Sequence, residues 1–291
     1  MTLPAFVLSF DFEIGWGDVT NGRWIARERR GTYVRLRKVL PRLLAAMDEL
    51  ELPATWATVG AMIAPPDTRD YSHLPADAAR IVAESIARGE KASFDGIDLF
   101  EAVLAHERTG HRIACHSYSH VPFGFAGVDS ETVRADLLRA ADTFAAHGIR
   151  TDRFVFPEND EACHEVLRSV GMLKARTPAV RTASSRLRYL ISTVVDAPPE
   201  AIIRAHPSGL ELESGSMLFN MGVGKAYRMP FVSRRARAGL RALSARRSSR
   251  MHVWAHPFNF AESDLLLDSF VRFLKQVAAE RDAGRLTVEL M

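Results

Sequence analysis

Ala5-Phe6-Val7-Leu8-Ser9-Phe10-Asp11-Phe12-Glu13 is the stretch on which the reading of this chain turns. From Ala5 to Phe10 the run is apolar, without regular polar alternation, and two acids close it. That pattern predicts a strand buried on both faces of a parallel sheet. Asp11 and Glu13 are two apart, so on a strand they share one face while Phe12 takes the other. Two carboxylates at the end of a buried strand are costly unless a cation or hydrogen-bond donors compensate. The plain alternative is a solvated strand end.

The same pattern repeats along the chain. Residues 53–59, 112–115, 154–156, 252–255 and 286–290 read as further strands, the third stopped by Pro157. Helical spacing of Val34, Leu36, Val39, Leu40, Leu43, Leu44 and Met47 predicts a helix over 32–50, with Pro41 expected to kink it or divide it into two pieces. Further helices are expected over 78–88, 97–108, 162–170 and 261–280. Asp129 and Ser130 can cap another that runs to Ala146, with Glu131 and Asp136 on its outer face and Gly148 ending it. Residues 64–77 read as a surface loop, and 182–250 as the least regular part.

Strand and helix alternate, so the class is α/β with parallel strands. A ring fits better than an open sheet, because the candidate site residues follow the C-terminal ends of strands far apart in sequence. A ring gathers such ends at one mouth; a doubly wound sheet gathers only those at its switch point. The expectation is a distorted (β/α) barrel of about seven parallel strands, with residues 1–291 as one domain.

Bulk properties narrow the function. The chain has 291 residues and a net charge of +3, so it has no global basic field for nucleic acid. Cys115 and Cys163, the two cysteines, read as buried reduced thiols and lack C-x-x-C spacing. No leader segment is visible, and no apolar run reaches the ~20 residues of a membrane span. The chain reads as cytoplasmic, at most peripheral to a membrane.

His116 and His120 follow the strand at 112–115. In extended chain their Cα atoms would lie ~13 Å apart, too far to share a small ion; in a helical turn the rise is only ~6 Å. A shared metal therefore requires the strand to end at about His116. The alternative is a pair of polar histidines bonded to water and backbone. His256 follows the strand at 252–255, and Pro257 holds it at the strand end. His252 lies on the same strand face and reads as a core or surface histidine.

The chain resembles the polysaccharide deacetylases built on the NodB homology domain. Ser9-Phe-Asp-Phe-Glu13 stands where the family has T-F-D-D-G. His116-Ser-Tyr-Ser-His120 matches H-S/T-x-x-H in full, after the lead-in Gly110-His-Arg-Ile-Ala-Cys115. Pro53-Ala-Thr-Trp56 resembles P-A-T-F, and Phe154-Val-Phe-Pro157 resembles F-R-x-P. His256-Pro-Phe258 resembles the late H-P-W/F of a subgroup acting on exopolysaccharides or related glycans. Ser214–Phe219 and Gly222–Pro230 look like that subgroup's substrate-side loop. Two positions depart from the pattern. Phe12 replaces the second aspartate, a metal ligand, which leaves Glu13 for that role, as in relatives with D-x-D/E. Val155 replaces the arginine that steadies the base aspartate, leaving Arg153 or Arg176 as substitutes.

The resemblance implies a zinc-type ion on Glu13, His116 and His120, with an open position for water. Asp11 would be the general base and His256 the acid that protonates the departing amine. A backbone N–H such as that of Tyr118 would hold the oxyanion. Neutral His116 and His120 are required, so activity should fall in acid. The implied substrate is an acetylated amino sugar, on its carrier if the arginines at 234, 235, 237, 241, 246, 247 and 250 contact a diphosphate or a membrane surface. Their alternative is a solvated helix face. Trp16, Tyr118, Tyr227 and Arg228 are the substrate-binding candidates, Trp16 as a stacking platform among glycines; Phe123, Phe125 and Phe258 are further candidates for an apolar floor under a sugar ring, with ordinary core the favoured reading of each. Two other functions compete: an amidohydrolase on a small non-sugar amide, and a binding protein whose chemistry has decayed through Phe12 and Val155.

Overall fold

The structure, a computed structural model, describes residues 2–106, 109–179 and 196–291. The end of the helix expected over 97–108 and the start of the irregular stretch at 182–250 lie outside the described residues. Among the described residues ten strands form one sheet: β1 Ala5–Phe12, β2 Thr55–Thr58, β3 Arg112–Cys115, β4 Arg153–Val155, β5 Lys174–Thr177, β6 Ile203–Ala205, β7 Glu211–Ser214, β8 Met217–Leu218, β9 Arg250–Ala255 and β10 Thr287–Glu289. The order is β6-β7-β5-β4-β3-β2-β1-β9-β8, with β10 beside the start of β1. Every pairing is parallel except β6 with β7.

The two ends of this ladder meet. β7 pairs with β5, and after Gly215 and Ser216 the same run of chain, as β8, pairs with β9. The Gly215 amide still donates to Thr177 O of β5 at 3.0 Å, while the Ser216 amide already donates to His252 O of β9 at 2.7 Å. Below that crossing the seam is filled by Ala201, whose amide donates to Arg250 O at 3.0 Å. The result is the distorted barrel of about seven parallel positions that the sequence predicted, with β7 and β8 sharing one.

The pleat sorts side chains between two interiors. Phe6, Leu8, Phe10 and Phe12 face outward into the large core under the helices. Val7 faces inward, where Ala57, Ala114, Val155 and Met291 complete a small apolar layer. The rest of the lumen is polar. Glu213 is fully buried and meets Lys174 Nζ at 2.6 Å, Arg250 Nε at 3.0 Å and His252 Nδ1 at 2.9 Å. Burial alone would raise the Glu213 carboxyl; His252, Arg250 and Lys174 instead hold it far below the usual carboxylate range. Arg250 is thus a buried ion-pair partner of Glu213 and Glu289, not part of an anion-binding face.

Three other local expectations need correction. Pro41 does not break its helix, which runs Thr32–Glu49 with Pro41 on the exposed side. The stretch 182–250 contains a regular helix, Met229–Ser244. Asp136, on the helix Ser130–Ala146, points inward: it accepts the Tyr118 and Ser119 amides at 2.8 and 3.1 Å and meets His73 Nε2 at 3.0 Å. The turn it faces offers more donors than solvent could reach, and the carboxylate satisfies them. The helix's own cap is as expected, with Asp129 accepting the Thr132 amide.

Replacing Glu213 by Gln would remove the buried carboxylate that Lys174 and Arg250 share and leave them only the more exposed Glu211 and Glu289. It should cost about 3–5 kcal/mol of stability, read as a lowered urea midpoint with unchanged slope.

Candidate metal centre

β1 ends with its inward face carrying Asp11 and then Glu13. β3 ends at Cys115, as a shared ion requires, and His116 follows at once. Instead of a helix, the chain then makes a tight turn with Ser117 and His120 in the left-handed region, at φ 63° and 58°. The turn is secured on three sides. Ser117 Oγ accepts the His120 amide at 2.9 Å, Asp136 takes the Tyr118 and Ser119 amides, and the Gly60 and Ala61 amides donate to Ser117 O and Tyr118 O at 2.9 Å each. This brings His116 Nε2 and His120 Nε2 to 3.2 Å.

Glu13 Oε2 lies 3.0 Å from His116 Nε2 and 2.9 Å from His120 Nε2. All three side chains are buried, and among the described residues this is the one group of three or more that could hold a metal ion. The donor chemistry fits a cation. His116 Nδ1 donates to Val155 O at 2.8 Å, which leaves Nε2 as a bare lone pair. Three acceptors meeting out of reach of water need a proton or a metal between them. Tetrahedral zinc with ligands at about 2.0–2.1 Å would set ligand atoms roughly 3.3 Å apart, close to the spacing seen. Burial would raise Glu13, but His120 and His256 outweigh it and hold the carboxyl well below its ordinary value. Burial likewise opposes charge on His120, and Glu13 overrides it, so His120 lies above its ordinary value.

Asp11 stands beside this cluster with a different partner. Arg176 of β5 reaches across the lumen and donates to both its oxygens, at 2.6 and 2.8 Å. Burial pushes the Asp11 carboxyl up, and the Arg176 guanidinium, helped by His256 and His116, brings it below its ordinary value. Arg153 instead faces its neighbour Asp152. Val155 therefore supplies a carbonyl to His116, while the arginine comes from the next strand. His256, at the end of β9, places Nε2 3.3 Å from Glu13 Oε1 and 3.6 Å from Asp11 Oδ2. Its side chain is 21% exposed against 2–6% for the other four, so the site opens on the His256 side.

The remaining candidates do not join the cluster. Trp16 has no exposed surface; its indole N–H donates to Phe94 O at 3.0 Å and its ring meets Phe94 edge-on, leaving no face for a sugar. Tyr118 is buried, and its amide is committed to Asp136, so it is not a free oxyanion donor. Tyr227 and Arg228 are exposed on the turn that precedes the helix Met229–Ser244.

Three features escaped the sequence reading. Gly17 makes room for Glu13: a Cβ there would lie 2.0 Å from Glu13 Oε1. Ser9 Oγ bonds both Arg176 at 3.1 Å and His252 Nε2 at 2.8 Å. His252 passes that contact on to Glu213, so a polar chain runs down the lumen behind Asp11. The alternation Ser9-Asp11 on β1 and His252-His256 on β9 was the available signal.

Residues 30–172 match the family model described as polysaccharide deacetylase. No curated protein matches the chain. Among solved structures, a Mycobacterium smegmatis protein provisionally described as a polysaccharide deacetylase is 17% identical, over 99% of this chain and 93% of its own, with a TM-score of 0.56. A Pseudomonas aeruginosa PAO1 protein described in the same terms gives 13%, 94%, 85% and 0.57. PuuE allantoinase gives 12%, 94%, 84% and 0.60. At such identities the likeness is one of fold.

Arg176→Met should let burial dominate at Asp11. Its carboxyl should rise, moving the acid limb of the pH–rate profile to higher pH. The stability that the pair provides is present above the unfolded carboxyl value of about 3.9 and lost as pH falls through the lower folded value; the variant should lack that acid-dependent loss. Gly17→Ala should displace Glu13 and weaken zinc binding by roughly 10–100-fold, measured by calorimetric titration.

Proposed function

Because the chain belongs to the polysaccharide deacetylase family, whose members are hydrolases acting on amide bonds, we propose that it removes acetyl from an acetamido sugar of a polysaccharide or its biosynthetic precursor. The observation that carries this reading is the juxtaposition of two unlike groups: a ligand-ready Glu13–His116–His120 cluster, and an Asp11 held ionised by a bidentate arginine. Glu13, His116 and His120 would hold a divalent ion, zinc by the donor set. Such an ion, when bound, polarises an amide carbonyl and lowers the pKa of water to about 7.

The chain's own residues supply the proton transfers. Asp11 accepts the proton of the attacking water; its low proton affinity in the resting site is the work of Arg176. Val155 O fixes the His116 tautomer, so Nε2 stays available as a ligand. His256, on the open side and within 3.6 Å of Asp11, protonates the amine as the C–N bond breaks. The amide proton count then balances: one proton leaves water through Asp11 and one reaches the amine through His256. A carrier-linked sugar is the finer substrate reading, supported by the arginine-rich helix Met229–Ser244 on the outside of β9.

Burial of four of the five side chains favours a second reading, hydrolysis of a small non-sugar amide, for which a narrow opening suffices. The assays separate the two. Purified protein should take up one zinc per chain, and His116→Ala or His120→Ala should abolish that uptake. Wild type should release acetate from acetylated amino-sugar oligomers, and Asp11→Asn should slow it by about 10²–10⁴-fold. Wild type without stoichiometric metal would overturn the reading. Turnover of small ureides or amides but not of oligomers would shift it to the alternative.

A further inference from the structure

Between Glu213 and Glu262 the chain has no acidic residue, yet it carries Lys225 and eight arginines. Arg250 is taken up inside the barrel, but Arg228, Arg234, Arg237 and Arg241 are exposed. The helix Met229–Ser244 buries Met229, Ala236, Gly239, Leu240 and Leu243, so Arg234, Arg237 and Arg241 take the outer face. A solvated helix face ordinarily intersperses both signs of charge, through i,i+4 pairs above all; this one has cations alone. The same surface exposes large apolar side chains: Val223 at 45%, Tyr227 at 71% and Phe231 at 42%.

Topology sets where this surface lies. β8 is parallel to β9, and the Phe219 amide donates to Trp254 O at 2.8 Å, so chain leaves β8 at the level where His256 leaves β9. Residues 220–231 therefore start from the mouth of the barrel, on the side where the site opens.

We infer that Val223, Tyr227 and Phe231, with Arg228, Arg234, Arg237 and Arg241, form a docking surface for an anionic phospholipid bilayer. A bilayer uses both components: headgroup phosphates take the guanidinium groups, and the interface takes aromatic and aliphatic side chains. A free phosphate would need an enclosed site and would leave the apolar side chains in water. Nucleic acid would find charge here but a net charge of only +3 over the chain. Docking brings the mouth end of this surface, residues 223–231, to the membrane, with the helix running back from it along the barrel wall towards the start of β9. Resting on the deacetylase reading above, it narrows the substrate to an acetylated amino sugar carried in the bilayer.

The test is co-sedimentation of the full chain with vesicles of phosphatidylcholine alone and of phosphatidylcholine mixed equally with phosphatidylglycerol. The protein should pellet with the mixed vesicles at low salt, be released by high salt, and stay in solution with the neutral ones. Combined Arg234→Gln, Arg237→Gln and Arg241→Gln should lower partitioning on the order of a hundredfold, about fivefold per charge. Phe231→Ser alone should lower it by roughly tenfold or more. All of these variants should keep zinc uptake and hydrolysis of a soluble acetylated oligomer, so loss of docking and loss of the chemistry are read separately. Equal behaviour with both vesicle types, variants that pellet like wild type, or retention on DNA in place of vesicles would each overturn the inference.

Discussion

The ion pair between Arg176 and Asp11 joins β5 to β1, strands separated in the sheet by β4, β3 and β2. Two side chains so far apart in the ladder can touch only if the sheet curls into a ring. The pair is therefore a consequence of barrel closure and also a constraint on it. Both partners are buried, and neither is tolerable there without the other. What keeps the strands at a fixed separation is the same contact that holds the candidate base ionised.

Behind it the lumen is unusual for a parallel barrel, whose interior is typically filled by branched apolar residues. Here one layer, Val7 with Ala57, Ala114, Val155 and Met291, follows that rule. Elsewhere Ser9, His252, Glu213, Lys174 and Arg250 make a continuous polar column. Each member has a partner of opposite charge or complementary hydrogen bonding, which is what makes burial of so many ionisable groups affordable. The column orients Arg176 through Ser9, so the geometry at Asp11 depends on groups well removed from the mouth.

Much of this was legible in the sequence because it follows from period and order. The inward register of Asp11 and Glu13 is a property of any strand. The ending of β3 just before His116 was required by the spacing of the two histidines if they share an ion, and the barrel was favoured over an open sheet by the dispersal of the site along the chain. What could not be read were facts that depend on a partner far away. The sequence left Arg153 and Arg176 equal; only the position of β5 across the lumen separates them. Asp136 looked like a surface residue because the turn it satisfies comes from another element. Trp16 looked available among its glycines, yet Phe94 covers it.

The departure at Phe12 has a meaning that a motif comparison would miss. Along β1 the direction of each side chain is fixed by the pleat, and Phe12 is directed away from the lumen, edge-on to Trp56 at a centroid distance of 5.4 Å. A carboxylate in its place would enter the oily layer beneath the helices. The candidate ligand Glu13 instead stands one residue later, with the space it needs left free by the missing side chain at position 17. What such a centre must preserve through divergence is an orientation and a volume rather than a letter in a column, so a chain can lose the family's usual aspartate and still present a complete set of donors.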